Sequence, residues 1–230
     1  MPAVTIASLS ADLKAQILDG FAPSERKIIL SAATQRRFAA DAVITNQGCL
    51  ADHLFLLTKG RARHFFVTEA GKKLLLQWLG PGDLIGGRTV LSRRSSYLLS
   101  TEMVTDSSAL AWERNTIRRL VERYPRLLEN ALLVASDYVS WHLTSYIGLA
   151  CYTARQRLAI VLVTLSRTIG KKAPGGIAVY ITNEELANTA NVTPFTTSRL
   201  ISGWQRSRAL VKRRGSILLI SPERLFRRTP

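Results

Sequence analysis

Residues 182–200 read TNEELANTANVTPFTTSRL, and two helix starts are written into them. Thr182 with Glu185 three positions later makes a capping box: the hydroxyl accepts from a backbone N–H of the first turn and the carboxylate reaches back to the N-cap N–H. Thr193 followed by Pro194 makes a second start, with threonine as N-cap and proline where its missing N–H costs nothing. The first helix buries Leu186 and Ala187. Thr189, Ala190, Asn191 and Val192 form the turn, and the second helix runs to about Arg206 and buries Leu200, Ile201 and Trp204. Two short helices on one tight turn are a helix-turn-helix.

The flanking residues extend the unit. Upstream, Leu158, Val161, Leu162 and Leu165 mark one face of a helix that ends at Gly170, a candidate left-handed cap. Residues 171–176 read as a Pro/Gly turn, and residues 177–181 alternate like a strand. Downstream, residues 209–212 and 216–220 flank Arg213-Arg214-Gly215, which predicts a hairpin and makes the whole a winged helix.

The charge supports a polyanionic partner. The chain has 230 residues and a formal net charge of +16. Residues 151–230 hold 14 Lys+Arg against three Asp+Glu, whereas residues 1–150 hold 18 against 13. Most of the excess therefore sits beside the helix-turn-helix, as a nucleic-acid-binding domain requires. Arg199 on the second helix is suited to a bidentate bond to guanine, and Phe195 to packing on a thymine methyl. Thr182, Asn183, Thr193 and Thr196 are placed to bond phosphates. Pro194 and Ser198 share the exposed side, and Arg206, Arg208, Lys212, Arg213 and Arg214 supply charge along the wing.

The rest of the chain reads differently. Residues 11–18 and 23–32 have helical spacing. Then six short apolar runs, at 42–45, 54–57, 62–67, 74–78, 97–104 and 109–112, are separated by Gly-bearing turns, which predicts a small β-barrel or sandwich. From Pro125 to Cys151 one long helix carries Leu128, Ala131, Ala135, Tyr138, His142, Ser145 and Leu149 at alternating spacings of three and four. That is a heptad seam fit for a second copy of the chain. The expected class is α+β: a jelly-roll-like β-roll over 1–124, a dimerisation helix over 125–151 and a winged helix over 152–230.

Several classes are disfavoured. Cys49 and Cys151 are the only cysteines, so neither a disulfide scaffold nor a multi-cysteine metal site is expected. Cys49, His53 and His64 match no ligand spacing. Asp12, Lys14 and Asp19 interrupt any signal peptide, and no apolar run spans a bilayer, so the expectation is a cytoplasmic protein with no membrane partner. No hydrolase, zincin or phosphate-loop motif appears, so an enzyme is not expected.

This order of parts resembles the Crp/Fnr family of bacterial transcription regulators. In the roll the resemblance rests on Gly60, Gly71 and Pro81-Gly82-Asp83-Leu84-Ile85-Gly86. In the basic unit it rests on Thr182, Glu185-Leu186-Ala187, Val192-Thr193, Thr196, Ser198-Arg199, Trp204 and the hairpin. The resemblance implies a cyclic-nucleotide-binding-like sensor, a homodimer on palindromic double-stranded DNA with half-sites about one helical turn apart, and contact with RNA polymerase. The effector positions it implies are Gly86, Gly87, Arg88, Ser100, Thr101 and His142.

The departures are informative. Cyclic-AMP-binding members carry Phe-Gly-Glu where this chain has Ile85-Gly86-Gly87. Their Arg-Ser-Ala corresponds to Leu98-Leu99-Ser100 or Leu99-Ser100-Thr101, so the ribose-holding Glu and the phosphate-holding Arg are both missing. Arg88, Arg93 or Arg94 would have to replace the latter. Cyclic AMP is therefore not expected to bind in the usual way, and an unknown small effector, or none, is expected in its place. The family's iron–sulfur branch needs cysteines near the N-terminus, and none precedes Cys49, so no cofactor is expected. In the reading helix, members carry Arg-Glu where this chain has Pro194-Phe195, so the base beside the guanine should differ. The alternatives are a small-ligand-binding module or a cupin-like protein with a non-specific basic domain.

Overall fold

The computed structural model describes residues 15–226. The chain divides into two compact units, one of Met1–Lys73 with Leu79–Ser140 and the other of Leu74–Trp78 with Trp141–Pro230. The division falls inside the long helix rather than at either end of it.

Eight short strands make up the roll: β1 (Thr34–Phe38), β2 (Val43–Thr45), β3 (His53–Lys59), β4 (Ala62–Val67), β5 (Lys73–Leu79), of which Leu74–Trp78 group with the second unit, β6 (Leu84–Ile85), β7 (Ser100–Met103) and β8 (Ser107–Glu113). They form two sheets, ordered β1-β8-β3-β6 and β2-β7-β4-β5. The β3–β8 pair of the first sheet is buried on both faces, where successive side chains of a strand point to opposite sides. Phe55 and Leu57 of β3 and Ala109 and Ala111 of β8 join Ala62, Ile85 and Met103 in one cluster. Leu54, Leu56, Leu110 and Trp112, on the other face, pack with the apolar residues of three helices. Gly60 closes the β3–β4 turn at φ +95°, where a Cβ would run into Ser107.

Those helices are α1 (Pro23–Ser31), α2 (Arg114–Arg123) and α3 (Arg126–Cys151). The Trp112 indole N–H donates to the Ile29 carbonyl at 2.8 Å and ties α1 to the sheet. Of the helical pattern at 11–18, residues 11–14 lie outside the described residues, and the remainder is a single 3-10 turn, Gln16–Leu18. Strands β1 and β6 and helix α2 had no counterpart in the sequence pattern. Helix α2 reads RNTIRRLVER, where arginines obscure Ile117, Leu120 and Val121, whose spacing of three and one buries a single stripe.

Residues 126–140 of α3 pack within the first unit by one face. Leu127 is buried, Ala131 and Val134 pack against the helix-side core, the Asn130 amide donates to the Ile17 and Asp19 carbonyls, and the Tyr138 hydroxyl donates to the Leu84 carbonyl at 3.2 Å. Two members of the expected seam, Ala131 and Tyr138, therefore face inward. The apolar residues left outside include Leu128, Leu132, Leu133, Val139, Leu143, Tyr146, Ile147 and Leu149, with Leu132 70%, Val139 66% and Tyr146 70% exposed. Of these, Leu128, Leu132, Val139, Tyr146 and Leu149, together with Ala135 and His142, keep the alternating spacing, so this stripe is the predicted one with Leu132, Val139 and Tyr146 in place of Ala131, Tyr138 and Ser145, and Leu133, Leu143 and Ile147 widen it. Periodicity finds the repeat, but only packing says which of two adjacent stripes the protein itself consumes.

The second unit carries α4 (Ala154–Thr168), β9 (Lys171–Ala173), β10 (Gly176–Tyr180), α5 (Asn183–Ala190), α6 (Pro194–Arg206), β11 (Leu210–Arg213) and β12 (Ser216–Leu219). The sheet order is β11-β12-β10-β9. Residues 171–173, read as part of a turn, instead pair with β10, leaving Pro174 and Gly175 as the turn. Gly170 is not a left-handed cap. It is required because a Cβ there would collide with the Ser166 carbonyl and the Ile177 side chain. Helix α5 runs through Ala190, so the turn is Asn191-Val192, with Asn191 left-handed at φ +49°. The Trp204 indole, fully buried, donates to the Leu225 carbonyl at 3.1 Å. Thr197, Ile201 and Trp204 are the buried residues of α6, and Leu200 is only half-buried.

Candidate nucleic-acid interface and sensor interior

The buried stripe of α6 fixes its free face. Phe195, Arg199, Ser202 and Arg206, at spacings of four, three and four, are all exposed and lie on one side of the helix. Phe195 is 78% exposed, a large apolar ring held in water at the helix start. Ser202 belongs to this face and was missed in the sequence, although counting seven residues on from Phe195 would have found it. Pro194 is also exposed, and Thr196 and Ser198 are half-buried.

The other sequence-predicted DNA contacts divide into two groups. Thr182 is occupied by its own cap: its hydroxyl accepts from the Glu185 N–H at 3.1 Å and donates to the Glu185 carboxylate at 3.0 Å. Thr193 does the same for α6, accepting from the Thr196 N–H at 3.1 Å and donating to the Thr196 hydroxyl at 3.0 Å. The Asn183 amide donates to the Ser198 hydroxyl at 2.9 Å and braces α5 against α6. These side chains build the motif. Arg206, Arg208, Lys212, Arg213 and Arg214 form the second group, with side chains in solvent at the end of α6 and on the β11–β12 hairpin. Arg208 stands at φ +55°, a conformation more usual for glycine.

In the first unit the implied effector residues fall in two places. Ser100 and Thr101 are buried on β7. Ser100 accepts from the Gln47 N–H at 3.0 Å, and the Thr101 hydroxyl lies 2.7 Å from that of Thr45 and 3.0 Å from His64 Nδ1. Gly86, Gly87 and Arg88 lead from β6 into a 3-10 turn, Gly87–Val90, with Gly86 at φ +82°. Arg88 donates to the Ser96 carbonyl, Arg114 to the Thr89 and Ser92 carbonyls and Arg118 to the Val90 carbonyl. Three guanidinium groups thus hold the 88–96 loop by its backbone, while Arg93 and Arg94 are exposed. The Tyr97 hydroxyl accepts from the His53 N–H at 3.0 Å and donates to the His53 carbonyl at 2.9 Å, and its ring lies against Gly86. His142 falls in the second unit, its ring edge-on to Trp141 with centroids 4.9 Å apart.

Burial shifts several acids and bases. Burial, aided by the Arg36 guanidinium, lowers His53, and burial alone lowers His142. Burial raises Asp83 against the opposing Gly80 N–H bond. Burial works to raise Glu102, but Lys73 and Arg63 at 2.8 and 2.7 Å outweigh it and hold the carboxyl below its usual range. Cys49 is exposed, His53 accepts from Arg36 and His64 bonds Thr101, and among the described residues no group of three or more His, Cys, Asp or Glu is gathered for a metal ion.

A two-sheet roll and a basic winged helix with an exposed helix face are the parts of a transcription regulator. The cyclic nucleotide-binding domain model matches residues 35–124, and the Crp-like helix-turn-helix domain model matches residues 156–228. The cyclic AMP receptor protein of Thermus thermophilus is 30% identical over 188 residues, covering 80% of this chain and 83% of that one. The anaerobic regulatory protein of Bacillus subtilis is 22% identical, covering 84% and 82%. The structure of FixK2 from Bradyrhizobium japonicum has the same fold at a TM-score of 0.73 and 19% identity, covering 84% of this chain and 95% of that one. The chain belongs to the Crp/Fnr family of transcription regulators, and its relatives are regulators rather than enzymes. Among the described residues no helix is long and apolar enough to cross a membrane.

Proposed function

We propose that the protein is a cytoplasmic homodimer that reads palindromic double-stranded DNA, contacts RNA polymerase, and carries a sensor that does not take cyclic AMP in the usual way. Residues 1–124 serve as the sensor, 125–151 as the dimerisation helix and 152–230 as the DNA-binding unit. The observation that carries the reading is the exposed row Phe195, Arg199, Ser202 and Arg206 on a helix whose opposite side is core. Such a rod fits the major groove with its N-terminal residues at the base edges. The free apolar stripe on α3 supports pairing of two copies, which spaces two such rods.

Arg199 reads guanine and Phe195 packs on a neighbouring thymine methyl. The wing arginines and Lys212 hold phosphates, and Thr182, Asn183, Thr193, Thr196 and Ser198 contribute mainly by holding both helices in place. For the sensor, Gly87 offers no carboxylate, Tyr97 is tied to His53, Arg88, Arg114 and Arg118 are spent on loop carbonyls, and Arg93 and Arg94 stand in solvent, which argues against a placed cation for a buried phosphate. The 30%-identical relative named for cyclic AMP favours the contrary reading, a cyclic-nucleotide sensor.

Selection of sites from random DNA, followed by binding of two variants, tests the DNA reading. Arg199→Ala should lose about 1–3 kcal/mol on the selected site and relax one base pair, while Lys212→Ala weakens all sequences and cuts the salt slope by about one. Unchanged selectivity in Arg199→Ala would overturn the docking. A rise in melting temperature with micromolar cyclic AMP would replace the sensor reading with the contrary one.

A further inference from the structure

One guanidinium in the second unit holds the ends of two helices that the DNA-reading account does not connect. Arg157 lies in the first turn of α4. Its Nε donates to the Ala190 carbonyl at 3.1 Å, one terminal nitrogen to the Tyr152 carbonyl at 2.9 Å, and the other to the Asn191 carbonyl at 3.1 Å. Tyr152 is the first residue after α3, Ala190 the last of α5, and Asn191 the left-handed residue of the helix-turn-helix turn.

The carbonyls at a helix C-terminus lack intrahelical partners and carry partial negative charge, so a cation there is favoured. Here one cation serves two such ends at once. The guanidinium is planar, and each of its three nitrogens meets a different acceptor, so the directions from Arg157 to α3 and to the turn are set together. The connection it spans is short. Tyr152 and Thr153 alone separate α3 from α4, and Thr153 closes a capping box with Gln156 that pins the start of α4.

We infer that Arg157 is a positioning residue for DNA reading: it clamps the C-terminal end of the pairing helix to the turn that precedes the reading helix, and so sets the half-site spacing the dimer accepts. The inference rests on the proposed dimer on a palindrome. Three of the five N–H donors of Arg157 are committed to carbonyls, which assigns it to positioning rather than to a phosphate, although its charge and its unit would suggest the latter. A lysine keeps the charge and the stem but has no plane to fix three directions.

The test uses the full chain and a selected operator, with versions one base pair shorter and longer between half-sites. One base pair moves a half-site by about 3.4 Å and turns it by about 35°. Wild type should prefer the selected spacing by about tenfold or more, and Arg157→Met and Arg157→Lys should cut that preference to about threefold or less, with base preference and salt slope unchanged. Melting curves confirm that the variants are folded at the assay temperature, and if Arg157→Met is not, Arg157→Lys carries the comparison. Spacing preference retained in the folded variants overturns the clamp. So does a salt slope reduced by about one, which would make Arg157 a phosphate contact. Absence of any spacing preference in wild type would instead sink the palindrome reading, and the clamp with it.

Discussion

Asn183 donates from its side-chain amide to the hydroxyl of Ser198 at 2.9 Å, and this bond joins the first helix of the helix-turn-helix directly to the second. The sequence pattern places Asn183 to bond a phosphate and Ser198 on the exposed side of the second helix. The bond makes a testable claim about stability without DNA. Asn183→Ala and Ser198→Ala should each destabilise the free protein by about 1 kcal/mol, and the double variant by little more than either alone. Thermal melts of the four proteins measure the coupling, and additive losses would show that the bond is not made in solution.

The free stripe of α3 predicts where charge breaks the proposed dimer. Val139→Glu places a carboxylate on the exposed row and should yield a folded monomer, observed by sedimentation with the melting curve of the roll little changed. Tyr138→Phe, one residue away, removes the hydrogen bond to Leu84 and should cost about 1 kcal/mol of stability while leaving the dimer intact. If Val139→Glu remains dimeric and Tyr138→Phe dissociates, the seam is the one the sequence pattern suggested.

Acidity should weaken the fold in two separate windows. His53 and His142 have lowered folded values, so below the ordinary 6.5 the unfolded chain binds protons first and stability falls as pH drops through that region. Glu102 is also lowered, so its contribution is present above the ordinary 4.5 and is lost only as pH falls through its folded value. Asp83, raised by burial, opposes this trend, because its neutral form suits the native state. Melting temperatures should therefore decline from pH 7.5 to 5.5, with a smaller decline in His142→Gln. The deficit of Glu102→Gln relative to wild type should stay constant over that range and close only in more acidic buffer.

Much of the second unit was legible because its signals are local. A capping threonine, a glutamate three positions on and a proline at a helix start act within one turn, and helices α5 and α6 begin where those residues put them. The interior of the roll was legible in part. The strand Ala62–Val67 matches its apolar run, whereas β1, reading TQRRF, is held by pairing with β8 and offers no apolar pattern to find. Helix α2 escaped for a related reason: its arginines are partners for the carbonyls of the 88–96 loop, and nothing in the local pattern announces a partner so distant in sequence.

The sequence by itself determined the order of parts, the starts of the two helices of the helix-turn-helix, the placement of charge and the loss of the acid and the arginine expected around a cyclic phosphate. These follow from residue identity and short-range backbone chemistry. Tertiary structure alone decided which stripe of α3 remains free, which polar side chains brace the motif rather than face solvent, and what the guanidinium groups of Arg88, Arg114 and Arg157 hold. A hydroxyl, an amide or a guanidinium has the same bonding capacity wherever it stands, and only the folded neighbours determine where that capacity is spent.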